Sequence, residues 1–171
     1  MPAPTQQEPW LRGPIPGIDP LFQPVAHSFI QALEDMPASL KGLSHEDLWK
    51  RNGRSASIGY HLVHATGGLD RLMTYARGEA LSALQLSVLE SEKKTEERRP
   101  HVAELLEAFE ATVNRALEQL RVTPGDSALT VRYVGRARLP STTLGVLFQA
   151  AEHTARHVGQ VRTLVRILAQ S

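Results

Sequence analysis

Four stretches of this chain repeat apolar residues every three or four positions, so it must bury four helical stripes at once. In the first, Leu21, Phe22, Val25, Phe29 and Leu33 follow Asp19-Pro20, an N-cap with proline at the first helical position, and the pattern stops at Met36-Pro37. The second starts from a cap at Ser55 or Ser57 and runs through Ile58, Leu62, Ala65, Leu69, Leu72, Met73 and Ala76 to about Arg77-Gly78. The third opens at Pro100, carries Val102, Leu105, Leu106, Phe109, Val113, Ala116, Leu117 and Leu120, and closes in Thr123-Pro124-Gly125-Asp126. The fourth begins at Pro140-Ser141-Thr142 and turns Leu144, Leu147, Phe148, Ala151, Val158, Val161 and Val165 to the core. Helices are expected near residues 20–36, 56–77, 100–121 and 141–169. Stripes of this kind bury themselves best against one another, which makes the expected fold an all-α four-helix bundle.

The connections carry weaker signals. Ser44 and Asp47 are spaced as a short-chain capping box, predicting one or two helical turns, and Ser82 can open another short helix. The charged run ESEKKTEERR reads as a solvated loop. Leu129 to Gly135 alternates and is rich in β-branched residues, predicting an extended segment that folds back through Gly135 to Leu139. Seven of the eleven prolines precede position 25, so residues 1–18 are expected as an extended arm and residues 19–171 as one domain. Trp10 and Leu11 predict that the arm docks across the domain or on a partner subunit.

Composition narrows the chemistry. The 171 residues include no cysteine, which excludes disulfides, thiolate metal sites and a cysteine nucleophile, and leaves histidine and carboxylate as strong ligands. A net charge of +1 supplies neither a footprint for nucleic acid nor a polybasic membrane anchor. No apolar run spans a bilayer, and the N-terminus lacks the pattern of a secretion signal, so a cytoplasmic protein is expected. Small molecules or a second copy are the expected partners.

The histidines are the chemical feature. His153 and His157 stand four apart on the fourth helix, about 40° apart on one face, where both imidazoles can point at one atom. His61 and His64 stand three apart on the flank of the second stripe, whereas His101 has no partner at helical spacing and is expected at the surface. If the second helix lies beside the fourth, three nitrogens meet at the lip of a cleft. Three neutral protein ligands with a fourth position open are the arrangement of a catalytic rather than a structural zinc site. Spacing alone leaves His61 and His64 both open as the third ligand.

The phrases SIGYHLVHATGGLDRLMTYARGEALS and LPSTTLGVLFQAAEHTARHVGQV resemble the two histidine-bearing helices of the DinB/YfiT-like superfamily, and EPWLRG is similar to the opening of one subgroup. The resemblance covers most of the chain. It implies an up-down-down-up bundle with a crossover connection, a zinc or nickel ion on three histidines, and commonly a homodimer. It also implies, for members of known activity, S-transferases and an isomerase that use low-molecular-weight thiols such as bacillithiol, mycothiol and glutathione. Carried onto this chain, the ligands are His153, His157 and, seven residues after Ser57, His64. His61 is then left for packing, for substrate contact or for supporting a ligand from behind, and no acidic group near the metal is evident.

Two classes of function follow. One is a metal-dependent transferase or hydrolase acting on a small-molecule substrate. In it the metal activates an external thiol or water, His61 and Gln160 orient substrate or support the ligands, and Arg156 and Arg71 bind an anionic group. No residue is assigned as general base. The other is a non-catalytic metal-binding or dimeric scaffold protein of the same fold.

Overall fold

Local caps set the helices where the stripes predict them. In the computed structural model, which describes residues 7–170, the Asp19 carboxylate accepts from the Leu21 N–H and opens a 3-10 turn, Pro20–Phe22, that runs into α1, Gln23–Leu40. Ser44 caps the short α2, His45–Trp49, and Ser57 caps α3, Ile58–Ala76, by accepting from the Tyr60 N–H. A reciprocal Ser82–Gln85 capping box starts α4, Ala83–Glu92, and one further turn, α5, Thr95–Arg98, leads to α6, Val102–Val122. Strands β1, Val131–Val134, and β2, Leu139–Thr142, pair antiparallel, with Val131 opposite Thr142. Positive φ at Gly135 and Arg138 turns the chain between them. Thr142 then caps the longest helix, α7, Thr143–Leu168.

The long helices α1, α3, α6 and α7 share one apolar core. Phe22, Phe29, Met36, Ile58, Leu62, Leu69, Phe109, Leu120 and Leu147 are completely buried in it. α3 packs against α7 and α6, and α1 packs against the same two. Polar contacts mark the registers: Arg115 lies 4.0 Å from Asp70, Gln119 Nε2 donates to the Met73 carbonyl at 2.9 Å, and Arg162 donates to Asp35 at 3.0 Å. The architecture is thus mainly helical with one small hairpin. No helix of the described residues is long and apolar enough to cross a membrane.

Several expectations are corrected. Pro37 does not stop α1, which continues to Leu40. Met36 and Leu40 bury their side chains there and offset the bond that proline removes, a loss of about 3 kcal/mol in an open helix. Pro140–Thr142 form β2 rather than the first turn of a helix, since the edge of a hairpin tolerates a proline that donates nothing. Phe148, placed by periodicity on the core stripe, is 63% exposed. The expected solvated run contains all of α5 and two buried polar residues, Glu92 and Thr95. The described part of the arm is not wholly extended, holding a 3-10 turn at Pro9–Leu11. It lies along α1, where Arg12 forks onto Glu34 and His27 Nε2 donates to the Gly13 carbonyl at 2.9 Å. Residues 1–6 lie outside the described residues.

Candidate metal centre

The cap at Ser57 sets the phase of α3 so that His61 and His64 both turn toward α7. Across the interface His64 Nε2 lies 3.3 Å from His153 Nε2, and His61 Nδ1 lies 3.1 Å from His157 Nδ1. One nitrogen each from His64, His153 and His157 lies within 4.8 Å of the others. Two nitrogens bound tetrahedrally to one ion at 2.0–2.1 Å sit about 3.3–3.4 Å apart, which is the separation between His64 and His153. The three residues therefore fit a divalent ion.

Room for them comes from Gly67 and Gly68 in the middle of α3. A Cβ on Gly68 would overlap His153 Cε1, and one on Gly67 would overlap the Glu92 carboxylate. Each glycine costs about 1 kcal/mol in a helix interior, a cost offset here by the close approach of an imidazole and a carboxylate to bare backbone. His153 Nδ1 is buried and has no hydrogen-bond partner, one of two such side-chain atoms among the described residues.

The electrostatics keep the ring nitrogens available. Glu92, 3% exposed, accepts from His64 Nδ1 at 2.9 Å and is paired on its other oxygen with Arg71. Burial by itself would raise its pKa, but the bonds from His64 and Arg71 prevail and hold the carboxyl below its ordinary range. Glu92 is thus ionised and accepts only, so the His64 Nδ1 carries a proton. Burial, and then the charge of a protonated His64, lowers the pKa of His61 and His153. The same burial, with His153, His64 and His61 as neighbours, pushes His157 down to about 3. At neutral pH His61, His153 and His157 are neutral, the form a metal ligand needs.

The other sequence candidates separate. Arg71 is 11% exposed on its side chain and pairs with Glu92. Arg156 pairs with Glu152 one turn back on α7. With His61, Gln160, Gly159, Thr163 and Ser55 it lines a groove of about 490 Å³ beside the histidines. His101 occupies the N-cap position of α6 without a capping bond from its side chain, exposed at the surface with its ring 4.7 Å from that of His45, outside the cluster. Glu92 is the residue that sequence reading missed: it stands 28 positions after His64, with no helical spacing to link them. The Ser82 cap was the one usable signal, since the helix it opens ends at Glu92.

A sequence model of the DinB superfamily matches residues 28–161, which contain α3, α6, the hairpin and the four clustered histidines. The chain belongs to the DinB superfamily. No curated protein matches it. For a DinB-superfamily protein, three histidines that can hold a metal ion are compatible with a metal-binding role. The match leaves out residues 1–27, with the first turn of α1, and residues 162–171 at the end of α7.

Proposed function

We propose that this DinB-superfamily protein is a metal-dependent enzyme acting on small molecules, with His64, His153 and His157 as the ligands of one divalent ion, zinc or nickel. The observation that carries the reading is the convergence of three nitrogens from two helices within 4.8 Å. An ion held by these three histidines would supply Lewis acidity that lowers the pKa of a thiol or water toward neutral. With no cysteine in the chain, an attacking thiol comes from outside as a low-molecular-weight compound. The reaction class is S-transfer or isomerisation with that thiol, or hydrolysis where water attacks. Substrate lies in the groove beside His61, with Gln160 and Arg156 on its wall. Held neutral by burial, His61 can take a proton from an incoming group.

The reading extends to the scaffold, as an up-down-down-up four-helix bundle. His61 meeting His157 while His64 meets His153 supports an antiparallel α3 and α7. Contacts of Asp70 with Arg115 and Met73 with Gln119 support α3 running with α6. Residues 1–18 form an arm on a domain spanning 19–171, and Trp10 and Leu11, 62% and 51% exposed, supply an apolar surface for a homodimer.

Metal analysis of protein purified without chelators tests the proposal. His153→Ala and His157→Ala should each lose both metal and activity, and His101→Ala should keep both. Loaded protein that binds no thiol and turns over no electrophile in a broad screen is a metal-binding scaffold instead.

A further inference from the structure

We propose that Glu92 is a positioning residue of this centre: brought in on the connection between α3 and α6, its carboxylate holds His64 with the proton on Nδ1 and the lone pair on Nε2. The inference rests on the reading above that His64 is a ligand. A neutral imidazole has one N–H and can carry it on either nitrogen. Left free, part of the population would present an N–H where a lone pair is required. Glu92 removes that choice, because its carboxylate lies 2.9 Å from Nδ1 while its other oxygen takes the Arg71 guanidinium, so the Nδ1 contact is one that the carboxylate accepts. The nitrogen it leaves bare is the one 3.3 Å from His153 Nε2.

Three observations show that the carboxylate is itself held in place. Arg71 pairs with its second oxygen, so both oxygens are engaged. Gly67 offers no Cβ to push the carboxylate off α3. Glu96, four residues on, accepts from the Ser57 N–H at 3.1 Å and from the Ser57 hydroxyl at 2.8 Å. The connection therefore grips α3 at its N-cap as well as at the site, and the Glu92 oxygens keep a set register to His64. Burying an ion pair costs more than burying apolar groups of the same volume. The return for the structure is orientation of a ring. His61, one turn earlier, has no hydrogen bond to a carboxylate among the described residues, and its Nδ1 faces another imidazole. This difference singles out His64 from His61.

The test compares wild type with Glu92→Ala, Glu92→Gln and the double variant Glu92→Met with Arg71→Met, which removes both charges and leaves no guanidinium buried alone. Nitrogen NMR of the His64 ring in metal-free protein reads which nitrogen bears the proton, and competition with a chromophoric chelator reads zinc affinity. Wild type should show the proton on Nδ1. Glu92→Ala and the double variant should show mixed tautomers and bind zinc about 10–100-fold more weakly. Glu92→Gln, whose amide oxygen still accepts, should fall between. An Ala or double variant that is folded, keeps the proton on Nδ1 and binds zinc as wild type does would overturn the proposal. If wild type binds no zinc, the ligand reading has failed, and the NMR comparison alone decides whether Glu92 orients the ring.

Discussion

Two long connections join the major helices, and they treat polar and apolar residues differently. Residues 77–101, between α3 and α6, send Glu92 and Thr95 inward and tie Glu96 to the cap of α3. Residues 123–142, between α6 and α7, leave Leu129, Val131 and Leu139 more than half exposed. That hairpin is held by hydrogen bonds to backbone carbonyls: the Arg132 guanidinium donates to the Ala76 carbonyl at 2.7 Å, and the Thr143 and Leu144 N–H groups donate to the Thr130 and Ala128 carbonyls. The first connection is thus part of the site and the second part of the scaffold. Hydropathy would have ordered them the other way. A charged side chain goes inside where specific partners wait for it, and an apolar one stays outside where no partner covers it.

The sharpest break in this contrast falls on the bare backbone of α3, where Gly67 seats Glu92 of the first connection and Gly68 seats the His153 ring. In an ordinary helix interior Gly→Ala stabilises by about 1 kcal/mol. At Gly68 the new methyl meets the His153 ring, so Gly68→Ala should destabilise by roughly 1–3 kcal/mol in urea titration and lose most zinc affinity. A stabilised Gly68→Ala protein would show that the ring is not seated on that backbone.

Acid should act on the same side of the molecule. His157 is pushed down to about 3 from 6.5, and His61 and His153 are also lowered. Above pH 6.5 native and unfolded chains both hold His157 neutral, and its contribution to stability is fully present. Below it the unfolded chain takes up a proton that the native chain refuses, so stability falls as pH drops from 6.5 toward about 3. Urea midpoints of metal-free protein across that range check this, and a midpoint that does not fall would contradict the buried neutral cluster.

Smaller effects sharpen the comparison. Ser57→Ala removes the α3 cap and a partner of Glu96, and should cost about 1 kcal/mol in the same titration. Zinc affinity should fall with it if the connection registers Glu92. Leu139→Thr on the hairpin should change stability by no more than about 0.5 kcal/mol and leave zinc affinity alone. A zinc effect from the hairpin that matched the Ser57→Ala effect would erase the distinction between the two connections.

The amino-acid sequence by itself determined the helices and half of the site. Apolar spacing and the caps at Ser44, Ser57 and Ser82 are local, acting within a turn or two, so element positions could be read to within a few residues. The pair His153 and His157 was legible for the same reason, because helical geometry alone puts i and i+4 on one face. Tertiary structure decided what depends on distant partners. Whether α3 turned His61 or His64 toward the pair could not be read from spacing, and both reach α7, one to each member of the pair. Glu92 looked like one more charge in a solvated run until the chain folded back over Gly67 to Arg71 and His64. Phe148 fits the core stripe by periodicity, yet it is exposed, since burial depends on which neighbours cover each face. A helix can be specified by interactions within a few residues, whereas a buried carboxylate depends on charges and donors that only packing brings within reach.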